Sequence, residues 1–367
     1  MSHRVIDADA HVVEDLAAWK GLDERHPGWL GAGRSGGTWV AQIDGKLYPT
    51  QEGPGCGVPI ASALSPAATP GATDLDRRLA DMDAEGIDAQ VLYGGLAIGT
   101  TTFGDAGFAA DFAAAYNDWL LDEVCGHAPD RLLGVAAVPL QDVDRSIAEL
   151  RRAVGEGAVA VTVPPVIGSR NLDDPSLLPF FEAAADAGVP VAVHSAPGMN
   201  VPLPAAERFS NYAQVHCLSF PVDQMVAFTA LSMGGVLDRL PTLKVAFLES
   251  GVGWVPYFVH RMHEHREKRR ELLGAMTSDP QEQIERGQCW FSFEAEEPLL
   301  ATYVEHLGSE SLVYSSDYPH WDSDFPGTVE MARTLSKDLG DGVTDAVLGG
   351  NAARLYGLDE VSARKRS

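Results

Sequence analysis

The chain has 367 residues, and 45% of them are hydrophobic, which is enough to fill a large buried core. It carries 27 basic and 52 acidic residues, and the net charge of −25 argues against nucleic acids and anionic membranes as partners, because both attract clustered Lys and Arg. No apolar run reaches the roughly 18 residues of a membrane span, and no leader-like segment opens the sequence, so we expect a cytoplasmic protein.

A short apolar run and a long irregular segment open the chain. Residues 5–9 predict a first strand. Segment 14–73 is too long and too rich in Gly and Pro for a simple connection. Within it, two short runs around Asp44-Gly45 predict a hairpin. We interpret 14–73 as an insertion that forms a lid or wall over the mouth of the fold.

From residue 73 onwards, short apolar runs alternate with amphipathic ones, the pattern of βα units around a parallel sheet. Thr73 is predicted to cap a helix that ends at Glu85. The later predicted strands cover 89–93, 133–138, 158–163, 190–194, 243–249, 289–293 and 311–317. The predicted helices between and after them cover 108–125, 142–154, 177–187, 221–239, 254–272, 297–307, 327–339 and 341–356.

Eight strands that alternate with helices predict an α/β fold, a (β/α)8 TIM barrel formed as one domain over residues 1–367. The segment 14–73 is then an insertion after the first strand. A doubly wound open sheet is the alternative, but no Gly-x-Gly-x-x-Gly turn follows an early strand. The barrel is therefore the favoured fold.

Several strands end in side chains that bind metals. The first strand runs into Asp9 and His11, and the fifth, sixth and eighth end in His194, Glu249 and Asp317. Any one of these residues alone is more often a helix cap or a core histidine, but the carboxyl ends of barrel strands meet at one mouth. Three carboxylates and two imidazoles together would repel or take up protons unless a cation neutralised them. The pattern therefore predicts a metal site.

Two further histidines are candidates for the same mouth. His320 follows Asp317 by three residues, and His216 precedes the helix before the sixth strand. Each is as consistent with a substrate contact as with a metal ligand. Carboxylates and imidazoles without a thiolate suit Fe or Mn at least as well as Zn. Glu294 and Glu297 are either proton carriers at the mouth or surface residues.

Four segments, 6–11, 191–194, 241–251 and 315–321, resemble the amidohydrolase-related family, in the branch of non-oxidative decarboxylases and metal-dependent hydrolases. The resemblance covers nearly the whole chain and implies four metal ligands, which are Asp9, His11, His194 and Asp317. In two places the chain departs from the family. The first strand commonly carries His-x-His, and the decarboxylases have His where this chain has Glu249. A Glu beside a cation has a lowered pKa and is a poor proton donor, so Glu249 is interpreted as a further ligand.

A smaller branch that the chain also resembles uses two iron ions, or iron and manganese, to activate O2 and hydroxylate small organic acids. We favour this function, a dinuclear non-haem iron or Fe/Mn monooxygenase acting on a small or medium organic acid. Its metal ligands would be Asp9, His11, His194, Glu249, Asp317 and His320, and its catalytic residues Glu249, His320 and His216. The alternative is a hydrolase or non-oxidative decarboxylase that uses one Zn or Mn ion. Family members are often oligomeric, which leaves a homo-oligomer open.

Other chemistries lack their motifs. The sequence contains neither the Gly-x-Ser-x-Gly of serine hydrolases nor the Gly-Lys-Ser/Thr of a phosphate loop, and no organic cofactor site is predicted. A barrel that only binds ligands would be expected to lose several strand-end residues, whereas here all of them can bind a metal. We therefore predict an enzyme.

Overall fold

The computed structural model describes residues 4–14, 16–19, 21–58 and 68–358. Eight parallel strands form one sheet in chain order, and we label them β1 to β8. They are Ile6–Val12, Ala89–Gly94, Leu132–Ala137, Ala160–Val163, Val191–Val193, Val245–Phe247, Cys289–Phe293 and Leu312–Tyr314. The chain after β8 closes the sheet onto β1, since His11 N donates to Tyr318 O at 2.7 Å and Asp317 N donates to Asp9 O at 3.0 Å. The predicted TIM barrel is confirmed.

Alternate residues of the strands build two separate apolar clusters, because successive side chains of a strand point to opposite faces. The inner cluster includes Ile6, Val91 and Val135, and the helix residues Leu355 and Tyr356 pack against it. The outer and larger cluster joins the other face of the strands to the surrounding helices. Both faces of the strands are therefore buried, as a parallel sheet requires.

Nine α-helices are labelled α1 to α9. They are Leu75–Glu85, Ala106–Asp118, Val143–Glu156, Leu178–Ala187, Tyr212–Phe228, Trp254–Lys268, Leu300–Leu307, Thr328–Ser336 and Asn351–Tyr356. Further short α-helical segments are Leu22–Arg25, Gly95–Ile98, Val236–Arg239, Pro280–Glu285 and Val343–Asp345. The short 3-10 helices are Leu16–Trp19, Pro70–Ala72, Gly99–Thr102, Pro175–Leu177, Ala206–Arg208 and Arg270–Leu272. Segments of π-helix are Trp119–Cys125, Thr229–Met233 and Ala346–Gly350. No helix in the described ranges has the length and apolar character of a membrane span.

Two helix starts differ from the prediction. Asp74 rather than Thr73 caps α1, because its carboxylate accepts from Arg77 N at 3.0 Å. Helix α5 begins at Tyr212 and holds Pro221 in its interior, whereas the prediction placed the start at that proline. Packing in the barrel overrides this local signal, and as a result His216 lies on a helix rather than on a loop.

The segment after β1 contains a small antiparallel sheet of its own, formed by Leu30–Ser35, Thr38–Ile43 and Lys46–Tyr48. Asp44 and Gly45 join the last two strands with φ of 51° and 73°, the left-handed backbone of a two-residue hairpin turn. The sequence pattern missed the strand Leu30–Ser35, since its two glycines weaken the β signal. Residues 59–67 of the predicted insertion lie outside the described residues.

Candidate metal centre

The strand-end residues meet at the mouth of the barrel. Asp9 is 0% exposed, His11 4%, His194 2%, Glu249 9% and Asp317 4%. The pairing of β1 with β2 shifts between Asp7 and Ala10. Such a bulge re-aims the side chains of a strand, and this one lies at Asp9.

Short distances join the five side chains to each other and to His320. His194 Nε2 lies 3.0 Å from Glu249 Oε2, and His11 Nε2 lies 3.2 Å from Asp317 Oδ1. His11 Nε2 also lies 3.5 Å from Asp9 Oδ1. The ligand atoms form two overlapping groups, each within 4.8 Å, which are Asp9, His11, His194 and Glu249, and His11, Glu249, Asp317 and His320.

The first group fits a cation because its ligand atoms have no other partner. Both carboxylate oxygens of Asp9, Nε2 of His11 and of His194, and Oε2 of Glu249 are buried and accept no hydrogen bond in the described part of the chain. Burying such atoms unpaired is costly, and a divalent cation would satisfy all of them. In the second group, by contrast, Asp317 Oδ1 already lies 2.6 Å from His320 Nδ1.

The histidine protonation states agree with metal binding. His194 Nδ1 lies 2.6 Å from the carbonyl oxygen of Ser195, which can only accept, so Nδ1 carries a proton and Nε2 is the nitrogen that a metal could bind. Burial and the neighbouring His320 lower the pKa of His11 to about 4, which keeps its imidazole neutral. Both rings are thus suited to act as ligands through Nε2.

The carboxylates show an excess of negative charge. Burial and the charge of Asp317 raise the pKa of Glu249 to about 8. Burial disfavours a charged His194, but the carboxylates of Asp9 and Glu249 outweigh it and raise the pKa of His194 well above its usual value. The protein alone therefore holds extra protons at this site, and a cation would replace them.

Glu249 and Asp317 have an unusual backbone. Their φ values are 53° and 55°, in the left-handed region that residues other than glycine rarely adopt. Hydrogen bonds hold both in place, because Glu249 N donates to Ser292 Oγ at 2.9 Å and Asp317 N donates to Asp9 O at 3.0 Å. Strain of this kind clusters at functional sites, and no local sequence signal indicated it.

A buried polar network that was not predicted from the sequence lies below the mouth and holds β1, β2, α1 and the end of β8 together. Asp7 accepts from Ser316 N at 2.9 Å, from Ser316 Oγ at 2.6 Å and from Gln90 Nε2 at 2.9 Å. Arg78 donates to Gln90 Oε1 at 2.9 Å and also to the backbone oxygen of His11. A charged residue two positions before Asp9 in an apolar strand is the signal that would have pointed to it.

A cavity of about 270 Å³ lies above the centre. Five of the predicted site residues line it, and they are His11, His194, His216, Glu249 and His320. Trp321 lines it as well, whereas Trp254 packs against Phe228 and Phe291. Most of the remaining wall is apolar, and none of the described lining residues is Lys or Arg.

Three acidic residues near the mouth have different surroundings. Asp322 Oδ2 lies 3.3 Å from His216 Nε2, and both residues line the cavity. Glu297 accepts from Val252 N at 2.9 Å and so fixes the loop after β6, which is a structural role. Glu294 is not among the lining residues, and burial raises its pKa well above the usual value.

Comparisons with known proteins agree with this geometry. The sequence profile of the amidohydrolase family matches residues 6–358. The 2-amino-3-carboxymuconate-6-semialdehyde decarboxylase of Dictyostelium discoideum is 30% identical over 292 residues, which are 78% of this chain and 77% of that protein. The gamma-resorcylate decarboxylase of Rhizobium radiobacter is 28% identical, over 77% of this chain and 87% of that protein. A dihydroxybenzoic acid decarboxylase from a Polaromonas species, solved with manganese and 2-nitroresorcinol, superposes with a TM-score of 0.71 at 18% identity, covering 97% of this chain and 98% of that one.

These matches correct the function favoured from the sequence. The preference for a dinuclear iron monooxygenase is wrong, because the relatives that match most of the chain are named decarboxylases. The alternative, a metal-dependent enzyme without oxidative chemistry, fits better, and the predictions of an enzyme and of a divalent metal site are supported. Because the family profile matches residues 6–358, the chain belongs to the amidohydrolase family.

Proposed function

We propose that the protein is a non-oxidative decarboxylase of a small organic acid and depends on one divalent cation, manganese or zinc. The observation that carries this proposal is the group of buried ligand atoms without hydrogen-bond partners, which lies at the floor of a mostly apolar cavity. The names of the two curated relatives support the reaction type. A cavity of about 270 Å³ is at the small end of ligand sites and suits one substituted ring.

The cation would be held by Asp9, His11, His194 and Glu249, the group whose atoms lack other partners. When bound, a divalent cation neutralises these carboxylates and attracts the carboxylate of a substrate. Asp317 lies next to this group, 3.2 Å from His11 Nε2, and is either a fifth ligand or the partner of His320. Glu249, whose Oε2 is buried without a hydrogen-bond partner in the described part of the chain, would serve as a ligand.

The proton required by the reaction is assigned to His320. When the bond between the carboxylate and the carbon breaks, CO2 leaves and the electron pair stays on that carbon, which must take up a proton. His320 lines the cavity, and its Nδ1 lies 2.6 Å from Asp317 Oδ1. Burial opposes a charged His320, but Asp317 outweighs it and raises the pKa of His320 to about 9, so the ring is protonated near neutral pH.

The remaining walls would orient the substrate and exclude water. His216 and Asp322 form a pair on one side, and Trp321 Nε1 donates to Tyr212 Oη at 3.2 Å beside them. The segment after β1 supplies Glu14, Ala41, Tyr48, Pro49 and Val58 to the lining. We propose that this insertion is the wall of the substrate site, with His216 as a residue that contacts the substrate.

Two measurements on one preparation test the proposal. The protein is expressed with manganese, zinc and iron available, its metal content is determined by mass spectrometry, and CO2 release from a panel of hydroxybenzoates is followed without O2. We expect close to one ion per chain, and CO2 release that does not require O2. Two ions per chain would show that the second ligand group also binds metal. Failure of every acid in the panel to release CO2 from metal-loaded protein would contradict the decarboxylase.

A further inference from the structure

The cavity contains several acidic groups, and its described basic side chains are all histidines at or near the metal centre. Besides the metal centre it is lined by Glu14 and Asp322, and none of its described lining residues is Lys or Arg. The segment 59–67 next to Val58 has no Lys or Arg in its sequence either. One carboxylate of a substrate would be bound at the metal centre, close to His320, whose charge is already paired with Asp317. A second carboxylate placed against Glu14 would find no Lys or Arg among the described lining residues.

Glu14 is a fixed part of the wall. Its Oε1 accepts from Ala97 N at 3.0 Å, and the N–H groups of Gly95 and Leu96 face the same carboxylate. The carboxylate of Glu14 fits against the end of β2 only because Gly94 has no side chain, since a Cβ on Gly94 would lie 2.6 Å from Glu14 Oε1. The carboxylate is therefore held in place by the backbone at the end of β2 and cannot swing away from a ligand.

The rest of the wall around Glu14 is apolar. A Cβ added to Gly95 would lie 3.9 Å from Met199 Cε and 4.0 Å from Glu14 Oε2, so both side chains border the same space. Leu96 and Ile98 also line the cavity. An anionic group placed here would lose its water shell, gain no Lys or Arg counter-ion from the described lining residues and face a carboxylate. Burying an unpaired charge in this way is strongly unfavourable.

We propose that the cavity selects acids with a single carboxylate on an apolar body and rejects acids with a second anionic group, and that Glu14 is a residue that determines this specificity. The inference rests on the proposed function, since it assumes that the substrate carboxylate is bound at the metal centre. An uncharged substituent of the same size would be accepted, because the barrier is one of charge and not of volume.

Three probes separate charge from size, and all are measured by calorimetric binding to manganese-loaded protein. They are salicylate, its 5-carboxy derivative and its 5-carbamoyl derivative, the last two having the same shape. Burial raises the pKa of Glu14 to about 7, so the titrations are run at pH 8, where its carboxylate is ionised. We expect the diacid to bind at least about tenfold more weakly than the carbamoyl compound, which binds within a few-fold of salicylate.

Variants test the residue. Glu14→Gln keeps the acceptor for Ala97 N and should reduce the discrimination against the diacid by several-fold. Met199→Lys brings an ammonium beside Glu14 and should reduce it too, whereas Met199→Leu should leave it unchanged. Equal affinities for the diacid and the carbamoyl compound would overturn the proposal. So would a ratio of these two affinities that neither Glu14→Gln nor Met199→Lys changes.

The outcome is independent of the reaction. Binding of all three probes is measured without turnover, so CO2 release combined with equal binding would leave the decarboxylase standing and overturn the charge selection alone. Charge selection without CO2 release from any acid would overturn the decarboxylase alone. Binding of none of the three probes would overturn the selection.

Discussion

At the scale of single residues, the centre combines buried charge with an unfavourable backbone conformation. Glu249 and Asp317 both have positive φ, and each such residue costs about 1–3 kcal/mol, which interactions of the surrounding structure must offset. Both carboxylate oxygens of Asp9 are buried and make no hydrogen bond within the described part of the chain. Neither feature stabilises the folded protein by itself, and both are explained if a cation binds there.

The first prediction concerns the metal ligands. Asp9→Asn keeps the size of the side chain but removes its charge, so we expect metal content after dialysis to fall by at least about tenfold and CO2 release by about 100-fold or more. His260→Asn is the matched control, because His260 is exposed on α6, away from the mouth. Mass spectrometry of both variants gives the result, and full metal content in Asp9→Asn would remove Asp9 from the ligand set.

The second prediction separates two roles of His320. If it donates the proton, His320→Gln should lower kcat by about 10²–10⁴-fold while the metal content stays at the wild-type level. Steady-state kinetics and metal analysis of one sample provide both numbers. Loss of the metal together with the activity would instead make His320 a ligand, as the sequence analysis predicted.

At the scale of elements, the hairpin around Asp44-Gly45 contributes to the wall of the cavity. The turn Asp44-Gly45 turns the chain back between Thr38–Ile43 and Lys46–Tyr48, and Asp44 Oδ2 accepts from Gly104 N at 2.6 Å. The hairpin is thereby attached to the segment after β2. Tyr48 at its end lines the cavity and lies 2.6 Å from Thr102 Oγ1 through its hydroxyl.

The third prediction is that alanine substitutions at two glycines change the free energy of unfolding in opposite directions. Neither Gly45 nor Gly155 has an atom within 4 Å of an added Cβ, so only backbone conformation decides the effect. Gly45 has φ of 73°, and Gly45→Ala should lower the free energy of unfolding by about 1–2 kcal/mol. Gly155 lies inside α3, where Gly155→Ala should raise it by about 0.5–1 kcal/mol. Urea denaturation measures both, and changes of equal sign would contradict this account.

The fourth prediction concerns the docking of α5 against β5. Asp223 on α5 is 0% exposed, accepts a hydrogen bond from Ser195 Oγ, and has its other oxygen unpaired. Burial raises its pKa from 3.8 to about 7. A raised pKa means that the folded state binds the proton more tightly than the unfolded state, so stability is lost as pH rises from about 4 through 7.

Asp223→Asn cannot lose this proton. Relative to the wild type it should gain stability between pH 5 and pH 8, by at most about 4 kcal/mol for three pKa units. Denaturation midpoints at the two pH values test this, with the exposed Asp186→Asn as a control that shows no such trend. If the difference in stability between Asp223→Asn and the wild type is the same at both pH values, titration of Asp223 does not contribute to the pH dependence of stability.

At the scale of the whole molecule, the candidate centre lies where the barrel closes. β1 and the chain after β8 are joined by backbone bonds at His11 and Asp317 and by the bonds of Asp7 to Ser316. The candidate ligands come from the ends of β1, β5, β6 and β8, so a bound ion would cross-link distant parts of the chain. Metal binding should therefore be coupled to the stability of the entire barrel.

The fifth prediction follows from that coupling. Removal of the metal by a chelator should lower the melting temperature, and re-addition should restore it. At a free ion concentration 1,000 times the Kd, the bound ion contributes about 4 kcal/mol. Scanning calorimetry of wild type and Asp9→Asn checks this, and the variant should respond much less. Equal responses would place the stabilising ion elsewhere.

The sequence by itself determined the fold class and the ligand candidates. Buried parallel strands and amphipathic helices have different hydrophobic periods, so the order of eight strands could be predicted from local pattern. Because the carboxyl ends of barrel strands share one mouth, Asp9, His11, His194, Glu249 and Asp317 were expected together, and the structure brings them together. The resemblance of the motifs to the amidohydrolase family is confirmed by the family profile, which matches residues 6–358.

Only the tertiary structure decided how these residues are arranged and what surrounds them. Periodicity contains no information on which atoms lack partners, on the positive φ of Glu249, or on the network of Asp7 with Arg78, since these depend on contacts between residues far apart in sequence. The choice of an oxygenase failed for a similar reason, because carboxylates and imidazoles suit several metals and reactions. The cavity is lined by residues of the barrel and of the segment after β1, with Glu14 in its wall and no Lys or Arg among the described lining residues, and no local pattern in the sequence indicates that these residues meet.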